Sequence, residues 1–319
     1  MNLLITGANG FVGKTLTARL LEKSSPPPDG LRADHVTLLD VSLERRSSGR
    51  VRTLVGSISD RSVLRRAFDR PFDVVYHLAS IPGGMAERQY ELGRQVNLDG
   101  TVALLEAASA SAPNGKPPVF VFASSIAVLG THLPAVVDDR TPARPRMTYG
   151  VHKLIGELLV EDCTRRGMIQ GRSIRLPGIV ARPPQRTGQL SSFMSDIIRE
   201  LAAGRRYECP VAADSTTWLM SAQGITDNLI RAATLHQDEC APTCTWTLPA
   251  LRASMAELVE AIANLCGPEI RGNITYRSNP ELEAAFGRYP HLSTPSADTA
   301  GFHHDGDLSA LIRRALETA

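Results

Sequence analysis

The stretch LLITGANGFVGKTL, residues Leu3–Leu16, decides the fold: an apolar run of strand type, three glycines spaced G-x-x-G-x-x-G at Gly7, Gly10 and Gly13, then an amphipathic helix. A glycine-rich turn between a buried strand and a helix brings backbone N–H groups and the positive helix end to one point, which suits a pyrophosphate. Each glycine leaves room where backbone must turn sharply, approach phosphate or pack on the sheet. The spacing departs from the G-x-G-x-x-G fingerprint, but the strand–turn–helix context is kept. Asn9, Phe11 and Val12, within the turn, join the three glycines as candidate cofactor contacts.

Outward from this turn, short apolar runs alternate with longer amphipathic ones. HVTLLD, RTLV, DVVYHLA, PVFVFAS and GRSIRLPGIV read as strands, and stretches near 11–23, 60–69, 87–112 and 147–166 as helices. That alternation predicts βαβ units and a parallel, doubly wound α/β sheet. The insert KSSPPPDGLRADH is Pro- and Gly-rich and reads as a surface loop. Beyond about residue 175 the regularity gives way to Pro-rich loops and short helices. The expected division is residues 1–174 with 217–249 as the nucleotide-binding domain, and 175–216 with 250–319 as a smaller substrate-binding region.

Composition narrows the partners. Of 319 residues, 43% are hydrophobic and 21% charged, and 35 Lys plus Arg against 33 Asp plus Glu leave a net charge of +2. So small an excess points away from nucleic acid and anionic membranes and toward a small molecule. Five cysteines at 163, 209, 240, 244 and 266 are an odd number, and the pair Cys240/Cys244 lacks partners at zinc-site spacing, so no metal is expected. No apolar run reaches the length of a membrane span, and the start MNLLITGANG has no signal-peptide pattern; a cytoplasmic chain with reduced thiols is expected.

Asp40 closes the second strand run, where adenosine-ribose hydroxyls sit in dinucleotide sites. A carboxylate there accepts from a 2′-hydroxyl and repels a 2′-phosphate, which favours NAD over NADP. The same aspartate also suits a helix cap or turn, and Arg45 and Arg46 nearby would attract a phosphate.

The stretch MTYGVHKLIGE, Met147–Glu157, sets Tyr149 and Lys153 on one helix face. Spacing alone is common on helices. It gains meaning beside PPVFVFASSIAVLG, a buried strand ending in Ser124 and Ser125. TGANGFVG, DVVYHLAS, VNLDGTVALLEAA, SSIAVLG and TYGVHK, in this order, resemble the extended short-chain dehydrogenase/reductase family. The resemblance covers the whole chain and implies a Rossmann-type fold with NAD as cofactor. It implies Tyr149 as general acid/base, Ser125 as the residue holding the reacting oxygen, and Lys153 as the nicotinamide-ribose ligand that lowers the tyrosine pKa. A free phenol titrates near ~10, so a nearby cation is needed to make it a base. Ser125 rather than Ser124 lies five residues before Gly130, as in the family's SSxxVxG pattern.

The resemblance further implies that Leu78, Ala79, Ser80, Pro177 and Ile179 line the cofactor groove. Asn97 would brace the sheet, a purely structural asparagine being the alternative. Ser57 and Ile58 stand where relatives carry an acid beside adenine. Dehydratases place Asp-Glu after the catalytic hydroxyl residue; Ile126 and Ala127 stand here. Pro177-Gly178 occupies the position where epimerases usually carry an asparagine. The resemblance implies, as the expected reaction, oxidation of the C2 hydroxyl of a short sugar acid. Ser80, Ser125 and Tyr149 would hold the reacting carbon, Arg182 or Arg186 the carboxylate, and Ser191 and Ser192 further hydroxyls. Trp218 is either a pocket wall or a core residue. A uronate or other sugar dehydrogenase, a nucleotide-sugar epimerase and a non-enzymatic NAD-binding redox sensor stay open as alternatives. The family habit implies a homodimer through helices near 87–112 and 147–166, whose apolar positions equally suit sheet-facing helices.

Overall fold

The computed structural model describes residues 1–22, 31–44, 49–112, 115–183, 190–236 and 244–317. Residues 23–30 of the Pro-rich insert and Cys240 lie outside them. The strands in chain order are β1 (Asn2–Thr6), β2 (His35–Asp40), β3 (Val51–Val55), β4 (Val74–His77), β5 (Val119–Ser125), β6 (Val136–Val137) and β7 (Gln170–Leu176). They continue as β8 (Gly178–Val180), β9 (Tyr207–Cys209), β10 (Thr216–Ser221), β11 (Thr245–Thr247), β12 (Leu251–Ser254), β13 (Ile274–Tyr276) and β14 (His291–Leu292).

Among the described residues, seven strands form one sheet in the order β11-β7-β5-β4-β1-β2-β3. Every neighbouring pair in it is parallel. This is the expected Rossmann-type α/β architecture. Alternation along the strands sends side chains to both faces. Leu3, Ile5, Val121 and Ile174 pack on one face against Leu16, Leu20, Ile225 and Leu229 of the helices Phe11–Leu21 and Ala222–Thr234. Leu4, Val75, Phe120 and Phe122 pack on the other against Leu104, Leu105 and Val160 of Gly100–Ala110 and Thr148–Arg165. A sheet covered on both faces keeps its polar chemistry for the strand ends. The order reverses between β1 and β4, and the crevice there is the natural ligand site.

The chain leaves the large sheet at Pro177, which has no N–H for the ladder. It enters a smaller sheet, β12-β10-β8, in which β10 pairs parallel with β8 and antiparallel with β12. Helices Phe193–Ala202, Met255–Cys266 and Leu308–Glu317 cover this sheet through Ile197, Leu258, Ile262, Leu311 and Ile312. Ser254 and Glu257 form a reciprocal capping box at the start of the second of these helices. Asp305 accepts from the Ser221 amide (2.8 Å) and hydroxyl (2.5 Å), and Arg314 pairs with it at 3.0 Å, which fastens the C-terminal segment beside β10. Among the described residues, no helix is long and apolar enough to cross a membrane.

Two elements depart from their sequence expectation: GRSIRLPGIV, read as one strand, divides at Pro177 into β7 and β8 in different sheets, and the helix that precedes β5 changes its winding. The helix expected over 87–112 is broken into Gly83–Arg88, Tyr90–Arg94, a π-turn Gln95–Asp99 and Gly100–Ala110. The π-turn carries Asn97, whose side chain bonds the Ile81 backbone beyond β4. Tertiary bonding, which a periodicity count does not register, sets the local winding.

Helix Thr148–Arg165 lies close on β5 because Gly156 carries no side chain: a Cβ there would come 2.5 Å from the Phe122 ring. Phe122 is fully buried and has nowhere to move. Gly156→Val is expected to lower the unfolding free energy by about 2 kcal/mol through overpacking. Urea denaturation would read this as a lower midpoint at unchanged slope.

Candidate active site

Gly7 has φ +70, and a Cβ on it would lie 2.6 Å from the Ala79 amide nitrogen, so the turn rests directly on the chain leaving β4. Gly13 is equally constrained, with its would-be Cβ 2.3 Å from the Gly7 carbonyl oxygen. Gly10 is the N-cap of helix Phe11–Leu21; no side chain caps that end and its first turn holds no acid. Uncapped N–H groups over a side-chain-free turn fit a dinucleotide pyrophosphate. At the tip of β2, the Asp40 carboxylate accepts from the backbone of Asn9 (3.0 Å) and Ser42 (3.2 Å), tying that strand end to the turn. Arg45 and Arg46 lie outside the described residues.

Beyond β4 a directional chain of hydrogen bonds sets the backbone. Thr101 donates to the Asn97 carbonyl (2.8 Å), so its oxygen accepts from His77 Nε2 (2.8 Å). His77 Nδ1 then accepts from Thr6 Oγ1 (2.9 Å), which itself accepts from the Ala79 amide (3.3 Å). Burial pushes the His77 pKa down to about 3, with Lys153 adding to the shift, so the ring stays neutral as this chain requires. The Asn97 side chain accepts from the Ile81 amide (2.7 Å) and Ser80 hydroxyl (3.1 Å) and donates to the Ile81 carbonyl (3.0 Å). Asn97 thus sets the Ser80 hydroxyl from behind.

At the end of β5 the two serines face opposite ways. Ser124 donates to Glu157 at 2.5 Å, while Ser125 accepts from the Ala127 amide at 3.1 Å and acts on Tyr149. Lys153 donates to the Ala123 carbonyl at 2.7 Å, 4.8 Å from the Phe122 ring centre and 5.6 Å from that of Tyr149. Burial brings the Lys153 ammonium down to about 7, with Glu157 opposing the shift. Burial raises the Tyr149 phenol; Arg182, Ser125 and Ser80 pull it back. Arg182, outside the Tyr-x-x-x-Lys spacing, is thus a second cation beside the phenol, in addition to Lys153. Burial in turn lowers the Arg182 pKa and Tyr149 raises it.

These groups share a cavity of about 350 Å³. Gly7, Gly10, Phe11, Val12 and Gly13 line one end, and Leu78, Ser80, Pro177 and Ile179 the middle. Ser125, Tyr149, Lys153, Arg182 and Ser191 line the rest, beside Met194, Thr217, Phe286 and Tyr289. Other expected residues fall outside its wall. Asn9, Asp40, Ala79 and Asn97 act through backbone contacts around it. Ser57 bonds the Ser59 hydroxyl (2.7 Å), and Ile58 packs within the core. Ser192 is exposed, and Arg186 lies outside the described residues. Trp218 is fully buried behind Tyr289, ring centres 4.7 Å apart, and donates to the Pro290 carbonyl at 2.8 Å. Strand alternation turns its neighbour Thr217 to the cavity instead. That period was the available signal for Thr217; Phe286 and Tyr289 carried none.

Residues 3–219 match the NAD dependent epimerase/dehydratase family. D-erythronate dehydrogenase of Cupriavidus necator is 37% identical, over 100% of this chain and 99% of that protein. The D-erythronate dehydrogenase of Haemophilus influenzae is 28% identical, over 99% of each. The crystal structure of the nucleoside-diphosphate-sugar epimerase from Agrobacterium tumefaciens superimposes with a TM-score of 0.89 at 32% identity, over 99% of this chain and 94% of that one. The glycine turn, the Tyr149–Lys153 helix on β5 and these full-length likenesses agree: the chain belongs to the NAD dependent epimerase/dehydratase family and is an oxidoreductase that works with a nicotinamide cofactor.

Proposed function

We propose that the chain oxidises the C2 hydroxyl of a short sugar acid, D-erythronate to the 2-oxo acid, with NAD as acceptor. The observation that carries this reading is the Arg182 cation lining the same cavity as Tyr149 and Ser125. A guanidinium offers a planar carboxylate two parallel hydrogen bonds. The two relatives named D-erythronate dehydrogenase supply the acid. Residues 1–174 with 217–249 would hold the cofactor, and 175–216 with 250–319 would complete the substrate side.

Gly7, Gly10 and Gly13 with the helix behind them hold the pyrophosphate, and Asp40 the adenosine ribose, its charge opposing a 2′-phosphate. A nicotinamide cofactor bound there would supply the acceptor for the C2 hydride. Lys153 holds the adjoining ribose. Tyr149 as phenolate takes the hydroxyl proton, Ser125 and Ser80 orient the reacting oxygen, and Arg182 fixes the carboxylate. The alcohol thereby loses a hydride and a proton and leaves as the 2-oxo acid. The nucleoside-diphosphate-sugar epimerase similarity supports a second reading, interconversion of a nucleotide sugar without net NADH. Pro177-Gly178, where epimerases usually carry an asparagine, weighs against it.

NADH absorbance with four-carbon sugar acids, uronates and nucleotide sugars separates these readings. D-erythronate is expected to be oxidised, and Tyr149→Phe to reduce kcat by about a hundredfold or more while NAD still binds. Turnover retained in that variant would overturn the proton-transfer role. Because burial holds the phenol above its ordinary value, oxidation rises with pH as the phenolate forms. Arg182 opposes that shift, so Arg182→Met moves the rising limb to still higher pH; it also raises KM for the acid by about tenfold to a hundredfold. Helices Tyr90–Arg94 and Thr148–Arg165 expose Tyr90, Val151 and Leu158, which supports a homodimer. Sedimentation at micromolar concentration is expected to give twice the chain mass.

A further inference from the structure

Below the cavity a second set of charges is closed off from it. Glu157, one turn beyond Lys153, is 4% exposed. Both its oxygens are engaged by Arg175 of β7, Nε at 2.9 Å and the terminal nitrogen at 2.8 Å. One of them also accepts from Ser124. Lys153 and Glu157 therefore bond to consecutive residues of β5, Ala123 and Ser124, immediately before Ser125. A buried ion pair gains little net stability over apolar packing, so stability alone does not account for it.

We propose that the Glu157–Arg175 pair is a positioning unit for the reaction: it seats the Tyr149 helix in register with Ser125 and keeps Lys153 charged inside the fold. This inference rests on the dehydrogenase reading above. The groups facing Lys153 are consistent with it. Tyr149 and Glu157 share its helix; His77, from β4, is neutral; Arg175, from β7, is engaged by Glu157; Arg182, beyond β8, acts on Tyr149. Glu157 is thus the carboxylate that opposes the burial of Lys153. Without it the ammonium gives up its proton at lower pH. A neutral Lys153 favours phenolate less, so the Tyr149 ionisation moves to higher pH.

The test compares the wild-type chain with Glu157→Gln, Glu157→Asp and the double variant Glu157→Gln/Arg175→Met, which leaves no unpaired guanidinium and guards against misfolding. In the pH profile of kcat/KM for D-erythronate with NAD, the rising limb of Glu157→Gln is expected about one unit higher. The double variant should move the same way, by less because Arg175's repulsion is also gone, and Glu157→Asp back toward wild type. A second readout needs no turnover: carbon-13 NMR of lysine side chains in the full chain, with Lys153 assigned through Lys153→Arg. The Lys153 midpoint, about 7 in the wild type, should fall in both glutamine variants. A purely structural pair would lower the melting temperature and leave both midpoints in place. A folded double variant with the wild-type Lys153 midpoint overturns the proposal. If the NMR shift appears but no sugar acid is oxidised, the dehydrogenase reading fails and the coupling of Glu157 to Lys153 stands.

Discussion

Burying an ammonium group costs free energy unless the fold supplies partners for it, and the helix Thr148–Arg165 is arranged around that constraint at Lys153. Gly156 lets the helix approach Phe122, the approach brings Lys153 to the Ala123 carbonyl, and the same contact places Tyr149 opposite Ser125. Without the missing side chain at Gly156, the helix would stand off the strand and the ammonium would lose its acceptor. A packing decision in the core therefore sets the geometry at the cavity floor. The ring of Phe122, 4.8 Å beneath the ammonium, adds a cation–π contact.

Polar residues behind the cavity have the complementary task of fixing backbone. The chain from Asn97 through Thr101, His77 and Thr6 to Ala79 requires a single histidine tautomer, and the low His77 pKa keeps the ring neutral. It connects the π-turn, β4 and β1, three elements that meet at the reversal of strand order. Gly7 rests on the Ala79 end of that chain. The glycine turn is consequently held from two sides, by Asp40 at the tip of β2 and by Ala79 beyond β4. A turn fixed in this way presents its N–H groups without having to order them on binding, which lowers the entropic cost of taking up a dinucleotide.

What the sequence made legible was what is local. The apolar runs of β1 to β5, the glycine turn and the placement of Tyr149 with Lys153 each lie within one element, and each element forms where its pattern indicated. The winding of residues 83–110 was not legible, because Asn97's bonds to Ile81 come from 16 positions away. Nor was the second charge acting on Tyr149. A helical spacing points to Lys153, and Arg182 joins it from beyond β8, across a sheet boundary. Trp218 shows the limit of reading by residue type: a large aromatic suits a pocket wall and the core equally, and the alternation of β10 decides for the core and leaves Thr217 at the cavity.

The two ends of the cavity differ in how many chain segments build them. The end at the glycine turn comes from residues 7–13, so a short motif carries it. The opposite end is assembled from Tyr149, Arg182, Ser191, Met194, Thr217, Phe286 and Tyr289, on segments separated by tens of residues and brought together by two sheets and their helices. No spacing rule links these positions, and each taken alone is an ordinary core or surface residue. The glycine turn is therefore written in contiguous sequence, while the rest of the cavity wall depends on how the smaller sheet is seated against the larger. The seating depends on Pro177, where β7 ends, and on Asp305, which holds Ser221 at the end of β10. Asp305 is outside the cavity lining, so a change there would act on the cavity only through packing, whereas Pro177 both ends β7 and lines the cavity.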